Sequence, residues 1–339
     1  MDSGKKRALL VINPISGTIS KDGLEDRVRS AMEPGGFEIE TVETTHAGHA
    51  GELARGASER GYYAVLTAGG DGTVNEAACA LIGSKTALGI IPYGSGNGLA
   101  RHLYTNIDVD HALEVLAKDR PMACDYGTVN GRPFFCTFGL GFDAKVSQEF
   151  ANASSRGLVT YIKSALAEYI KFSPSTYEIE AFDGENTHSL KVEAFLLAVC
   201  NASQYGNNAF IAPGASIRDG LLDIMVLHKG NPFSRVVAGA QLFSGRIDHN
   251  MLIEKICAKK LTIKHIPGPA HIDGEPFTSP ETLEIECHPG LLRLFTDPDK
   301  TPFKPFITPM ESMRDDSSFL LRENVRLAKN NLKTIFKKK

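Results

Sequence analysis

Thr67-Ala-Gly-Gly-Asp-Gly-Thr-Val-Asn75 separates two patterns of different period. Before it, residues 63–67 (YAVLT) form a continuous apolar run of β type, and after it residues 76–82 carry the spacing of an amphipathic helix. Gly69, Gly70 and Gly72 between them let the chain turn tightly and bring N–H groups against an anion. The helix that follows aims the positive end of its dipole at the same spot. One carboxylate, Asp71, stands inside this phosphate-seeking turn, where a bare negative charge would repel the ligand. It points to a bridging Mg²⁺ or to a proton that must be removed.

The same strand–turn–helix unit recurs on either side. Residues 8–12 read as a first strand, Leu24, Val28, Ala31 and Met32 as a helix, and Phe37, Ile39 and Val42 as a second strand. A helix over 51–60, the helix 73–82, a strand over 87–91 and a short helix over 99–103 complete the series. Repeated βα units build a parallel sheet flanked by helices, whose ligands collect at the carboxyl ends of the strands. Three loops follow strands and should line that edge: Asn13-Pro-Ile-Ser-Gly17, the Gly69–Asn75 turn, and Pro92-Tyr-Gly-Ser-Gly-Asn-Gly98. Taken alone, the first is equally an ordinary strand-ending turn and the third a flexible connector. Three glycines in five residues suggest a close approach of the backbone to something.

From about Cys124 the texture changes to short period-two runs at 177–182, 190–200, 221–228, 260–265 and 283–287. Only 157–171 and 232–244 look helical, so this half is expected to be a sandwich or partly closed barrel. The boundary falls near 121–126, and the Pro-rich stretch from Pro298 resembles a linker.

At 339 residues the chain has length for about two domains. No run of 18 uncharged apolar residues occurs, which excludes a spanning helix of that kind. Asn13-Pro14 cuts the first apolar run short, so it reads as a strand and not a signal peptide. Six scattered cysteines without a CxxC pair, several of them inside apolar runs as buried thiols are, argue for a reducing cytoplasm. The net charge of −3 is uneven: residues 318–339 hold seven Lys/Arg against one Glu, leaving 30 against 39 in the body. An acidic body argues against nucleic-acid binding. The basic tail, with Leu321, Val325, Ala328, Leu332 and Phe336 at helical spacing, fits an anionic membrane surface as well as a packed or frayed helix.

Two further acidic turns stand in the β-rich half. Asp219-Gly-Leu-Leu-Asp223 could hold a hard cation or be a plain hairpin turn. His271-Ile-Asp-Gly-Glu275 could offer a general base across a cleft or, again, be a turn. Gly139-Leu-Gly-Phe-Asp-Ala144 matches a dinucleotide fingerprint only formally, since no acidic strand end follows about 20 residues later. The ten histidines show no pairing with a nucleophile.

NPxSG, GGDGTxNE, PxGSGN, GLGFDA, DGxLD and DGE occur in that order between Arg7 and Phe295. This succession resembles the diacylglycerol kinase catalytic-domain family, which includes bacterial lipid kinases and sphingosine kinases. The resemblance implies residues 1–124 as an ATP-binding α/β domain, 125–297 as a β-sandwich lipid domain, and 298–339 as a linker with a basic amphipathic tail. It implies ATP on Asn13, Pro14, Ser16, Gly17, Thr45, Gly69, Gly70, Asp71, Gly72, Thr73, Asn75, Ser95, Gly96 and Asn97. A structural Mg²⁺ maps to Asp219 with the carbonyls of Ser216 and Leu221, and the base to Glu275 or, as in sphingosine kinases, to Asp71. Bacterial diacylglycerol kinases usually carry an aspartate in the third loop. This chain has Gly98 there and reads GSGNGLA, closer to the GSGNALA of sphingosine kinases.

The expected activity is transfer of the γ-phosphoryl group of ATP to a primary hydroxyl of a lipid, diacylglycerol or a sphingoid base, with Asp71→Ala folded but inactive. A soluble-substrate kinase of the NAD kinase type and a non-catalytic lipid-binding module are the alternatives. The expected partners are a lipid at the inner face of the membrane and no nucleic acid, with a homodimer left open. Phe134, Phe135, Phe138, Leu140 and Phe142 are candidates either for a lipid-tail surface or for ordinary core.

Overall fold

The structure, a computed structural model, describes residues 5–17, 19–152 and 172–318. The first third alternates as expected: β1 (Lys6–Ile12), α1 (Leu24–Met32), β2 (Phe37–Glu43), α2 (His49–Glu59), β3 (Ala64–Gly69), α3 (Asp71–Leu81), β4 (Ala87–Pro92), α4 (Gly98–Leu103) and α5 (Val109–Ala117). The strands pair in parallel in the order β2-β1-β3-β4. β3 and β4 are buried along their whole length, because helices cover both faces. On one face Leu9, Val11 and Val65 meet Ala50, Ala54, Ala77 and Ala78 of α2 and α3; on the other Leu10 and Leu66 meet Leu24, Val28, Leu113 and Leu116 of α1 and α5. Sequence reading missed α5, although Val109, Ala112, Leu113 and Leu116 keep helical spacing. Asp108 caps it, accepting the His111 N–H at 2.8 Å.

The remainder is β-rich: β5 (Pro121–Val129), β6 (Arg132–Phe134), β7 (Thr137–Gly141), β8 (Ser175–Phe182), β9 (Thr187–Cys200), β10 (Leu222–His228), β11 (Ile253–Ala258), β12 (Lys260–Lys264), β13 (Gly268–Ile272), β14 (Glu275–Ser279) and β15 (Thr282–Phe295). These pair antiparallel in the order β14-β13-β7-β9-β8-β12-β15, with β10 beside β9 and β5 beside β15. An N-terminal α/β domain with a mostly parallel sheet thus precedes a sandwich-like β domain.

β15 belongs to both. Its first part pairs with β12, and its last residues reach β4 at Leu294↔Leu88. Leu292, Leu294 and Phe295 complete the N-terminal core, as does Cys124 of β5. Between the two parts the strand bulges at Gly290 (φ 67°), whose N–H reaches the buried Asp125 carboxylate at 2.8 Å.

Several expectations are corrected. Besides α7 (Pro232–Ser244), a further helix, α6 (Phe142–Asn152), lies in the β-rich half, while the helix expected over 157–171 falls outside the described residues. Phe134, Phe135, Phe138 and Leu140 are at most 1 % exposed and fill the core, so they offer no surface to a lipid tail. The stretch after Pro298 is not a free linker. Asp297 is buried and accepts from Thr105 Oγ1 (2.8 Å), Phe303 packs on Phe210 with ring centroids 4.8 Å apart, and a helix runs over residues 307–318. The basic tail beyond 318 lies outside the described residues. All six cysteines are free thiols.

His102, on α4, is neutral by design: its Nδ1 accepts the Ser203 N–H at 3.1 Å, and burial pushes its pKa down to about 3. The unfolded chain protonates this ring near its ordinary value of 6.5, so stability is lost as pH falls from there toward 3. His102→Gln is expected to flatten the acid limb of a urea-unfolding stability profile by up to one proton. An unchanged slope would contradict this.

Candidate active site

The three strand-ending loops meet as expected. Ser16 and Gly17 of the first, Gly70, Asp71, Gly72 and Asn75 of the second, and Gly94, Ser95, Gly96 and Gly98 of the third line one cleft of about 360 Å³. Across it stand His271, Asp273, Gly274 and Glu275 from the β13–β14 turn. A larger cavity of about 1140 Å³ lies behind α4 under residues 296–315, but none of the glycine-rich loops enters it.

Asn13 reaches back, its Nδ2 donating to Thr73 Oγ1 at 2.9 Å, so it braces the second loop instead of lining the cleft. α3 begins at Asp71 with Gly70 as its N-cap and no capping side chain, which leaves first-turn N–H groups for an anion. A Cβ added at Gly72 would meet nothing within 4 Å, so this glycine faces open cleft.

The other glycines serve the chain itself. A Cβ at Gly17 (φ 71°) would sit 1.8 Å from the Tyr93 carbonyl oxygen, and one at Gly94 would sit 2.6 Å from Gly70 Cα. Asp71 explains this crowding. Its Oδ2 accepts the Asn97 N–H at 2.9 Å and its Oδ1 the Gly98 N–H at 2.8 Å. The acid inside the glycine-rich turn thus ties the second loop to the third. Burial raises its pKa, against the pull of those two N–H groups and of Arg101. Asn97, at φ 51°, closes the third loop by accepting from Gly94 N (3.0 Å) and donating to Gly94 O (2.8 Å).

The opposite wall is fixed by Asp273, at φ 48° in the turn. Its carboxylate accepts the N–H groups of Phe135, Cys136 and Thr137, each at 2.8 Å, and the Asn75 side-chain amide at 3.2 Å. Beneath it His271 Nδ1 accepts the Gly274 N–H (3.3 Å), which leaves the ring proton on Nε2 facing Asp143 Oδ2 at 3.3 Å. Tyr205 donates to the same Asp143 oxygen at 2.9 Å. Gly139 of the GLGFDA run exists for this pair, since a Cβ there would lie 2.2 Å from Asp143 Oδ2. The Glu275 carboxylate, by contrast, is exposed in the cleft and forms no hydrogen bond or ion pair among the described residues.

Pro14, Gly69, Thr73 and Asn97, like Asn13, belong to the three loops without lining the cleft, and four expected residues lie on other segments away from it. Thr45 opens the turn before α2, where its N–H meets His49 Nδ1 at 3.1 Å. Ser216, Asp219 and Leu221 surround the Gly220 turn (φ 75°). There Asp219 Oδ1 accepts the Leu221 N–H (3.1 Å) and Asp125 the Gly220 N–H (2.8 Å). Burial and the nearby charges of Asp223 and Asp125 raise the Asp219 carboxyl, a repulsion that a cation would relieve. No group of three His, Cys, Asp or Glu side chains among the described residues encloses a metal. Sequence reading missed the loop carrying Tyr205, Gly206 and Asn207, which closes the cleft beside Gly96. It has neither a motif nor a clear period.

A diacylglycerol kinase of Bacillus subtilis (strain 168) is 30 % identical over 278 residues, covering 80 % of this chain and 90 % of that protein. The chain belongs to the diacylglycerol kinase catalytic-domain family. The family's model, the diacylglycerol kinase catalytic domain, matches residues 7–129, and the YegS C-terminal NAD kinase beta sandwich-like domain matches 137–296. A probable lipid kinase, YegS-like, of Pseudomonas fluorescens is 28 % identical over 306 residues, 87 % of this chain and 97 % of its own. A diacylglycerol kinase structure from Bacillus anthracis str. Sterne shares the fold, with a TM-score of 0.67 at 19 % identity, covering 88 % of this chain and all of that one. Position 98 is tight: a Cβ there would lie 3.2 Å from the Tyr205 carbonyl oxygen and 3.4 Å from Cys136 Sγ, so a side chain fits only if these neighbours give by a few tenths of an ångström.

Asp273→Ala strips four donors of their acceptor and is expected to cost roughly 3–5 kcal/mol, the usual toll of unpairing buried groups in a network. Denaturant unfolding measures it, and a loss below about 1 kcal/mol would show that the turn holds by other means.

Proposed function

We propose that the chain transfers the γ-phosphoryl group of ATP to a primary hydroxyl of a lipid. The observation that carries this reading is the cleft itself, where three glycine-rich loops and the uncapped start of α3 face one unpartnered carboxylate, Glu275. Phosphoryl transfer asks mainly for positioning and charge neutralisation. The first-turn amides of α3 and Gly72 would hold terminal phosphate oxygens, and Asn75, held by Asp273, keeps the two walls at a fixed separation. Mg²⁺ commonly binds one or two carboxylates together with substrate phosphates, so the absence of a metal cage among the described residues fits an ion arriving with ATP. It would neutralise charge on the transferring group.

Between the two candidate bases the geometry favours Glu275. Both Asp71 oxygens are engaged by main-chain N–H groups, whereas the Glu275 carboxylate is free to take a proton from an incoming hydroxyl. Lipid as the acceptor is supported by the family and by apolar side chains left in the open. Phe233 and Val236 of α7 and Phe306, Ile307 and Met310 at the C-terminal helix are 49–78 % exposed. No helix among the described residues is long and apolar enough to cross a membrane, so contact would be peripheral, aided by the basic tail. Which lipid is taken, diacylglycerol or a sphingoid base, is a question for a substrate panel.

Glu275→Gln is expected to lower kcat by about 10²–10⁴ with ATP affinity kept. Asp71→Asn should instead raise the KM for ATP and lower the melting temperature, because one tie to the third loop is lost. Steady-state kinetics with labelled ATP and lipid micelles separate the two, and near-original kcat in Glu275→Gln removes it as the base. Deleting residues 319–339 is expected to abolish pelleting with anionic vesicles while activity on micellar lipid persists; undiminished pelleting rejects the tail as the membrane contact.

A further inference from the structure

We propose that Arg101 is the positioning residue of the third glycine-rich loop, and that the helix over residues 307–318 sets it in place. The proposal rests on the kinase reading for what that loop holds. Arg101 follows the loop on α4, and its side chain is only 5 % exposed. Its Nε donates to the Gly96 carbonyl at 2.9 Å. One terminal nitrogen donates to Asn208 Oδ1 (3.2 Å) and Ser312 Oγ (3.1 Å), and the other to Asp316 Oδ2 (2.9 Å). A single guanidinium therefore spans from the cleft loop to the C-terminal helix, a geometry its rigid fork permits and a lysine's does not.

The two ends of this link are both anchored. Gly96 abuts Asp71, since a Cβ there would lie 2.7 Å from Asp71 Oδ2. The segment leading into the helix is seated on the β-rich half, outside the cleft: Phe303 on Phe210, and the Phe306 N–H on the Ser244 carbonyl at 2.9 Å. Asp316 is the one carboxylate paired with Arg101 among the described residues. A buried guanidinium deprived of it would be left as an uncompensated charge behind the phosphate loop. Both family models stop short of this segment, at residues 129 and 296. Residues 307–318 are on this account a working part of the nucleotide site and not an appendage to it.

The test uses the full chain with Arg101→Lys, Asp316→Asn, and the apolar double variant Arg101→Met/Asp316→Leu, which removes both charges and so keeps a folded core if either single variant fails. Hydrogen exchange at the amides of residues 96–98 and the KM for ATP are measured in each. Exchange is expected to quicken and KM to rise, each by about tenfold, as loss of a charge-assisted hydrogen bond predicts, with kcat at saturating ATP little changed. Unchanged exchange and KM in all variants overturn the proposal. Faster exchange with unchanged KM overturns the positioning role and leaves Arg101 a core ion pair. Should the full chain phosphorylate no lipid, the kinase reading falls, and exchange together with direct ATP titration still decides the role of Arg101.

Discussion

Four donors converge on one carboxylate, Asp273, and the spacing of the cleft follows from it. Three are successive main-chain N–H groups of residues 135–137, running from the β6–β7 connection into the start of β7, and the fourth is the Asn75 amide on α3. Glu275 is two residues away in the same turn, so the Asn75 bond, the one of the four that crosses between the domains, ties its position to the glycine-rich loops, while the other three hold the turn to its own domain. The left-handed conformation of Asp273, at φ 48°, is held by these bonds against its intrinsic cost. Burial raises its carboxyl, and the three N–H groups offset much of that penalty.

The same device recurs on the other wall and resolves an electrostatic contradiction. An acid among loops suited to phosphate would oppose such a ligand, but each Asp71 oxygen already accepts a main-chain N–H, from Asn97 and from Gly98. The positive ends of those amide dipoles and the nearby Arg101 partly cancel its charge. Two loops of the cleft are thereby fastened by a group of the wrong sign for binding an anion. Glycines at 94 and 96 make that fastening sterically possible.

The βα alternation, the three loops and the late DGE turn could all be read from residue order, because each depends on local period and local turn chemistry. What could not be read were pairings across long separations. Nothing near Asp71 in sequence announces that Asn97 and Gly98 will satisfy it, and nothing near Arg101 announces Asp316. Glycine was a misleading witness for the same reason: its absent side chain made space for Tyr93, Gly70 or His271 as often as for open cleft. The aromatic run at 134–142 looked like surface or core with equal right, since burial on both faces of β7 erases the alternation that tells them apart. The Pro-rich segment after 298 reads as a spacer by composition, yet Asp297 and Phe303 dock it.

β15 carries a consequence for how the polypeptide reaches its native state. The innermost layer of the first domain contains Leu292, Leu294 and Phe295, which lie some two hundred residues after β4, the strand they meet. During synthesis, then, the α/β half emerges with a gap in its interior and a bare sheet edge at β4. That gap closes only after the sandwich has been made and the chain has doubled back. An N-terminal fragment held at the ribosome would lack these three side chains and expose that edge, the kind of surface chaperones bind.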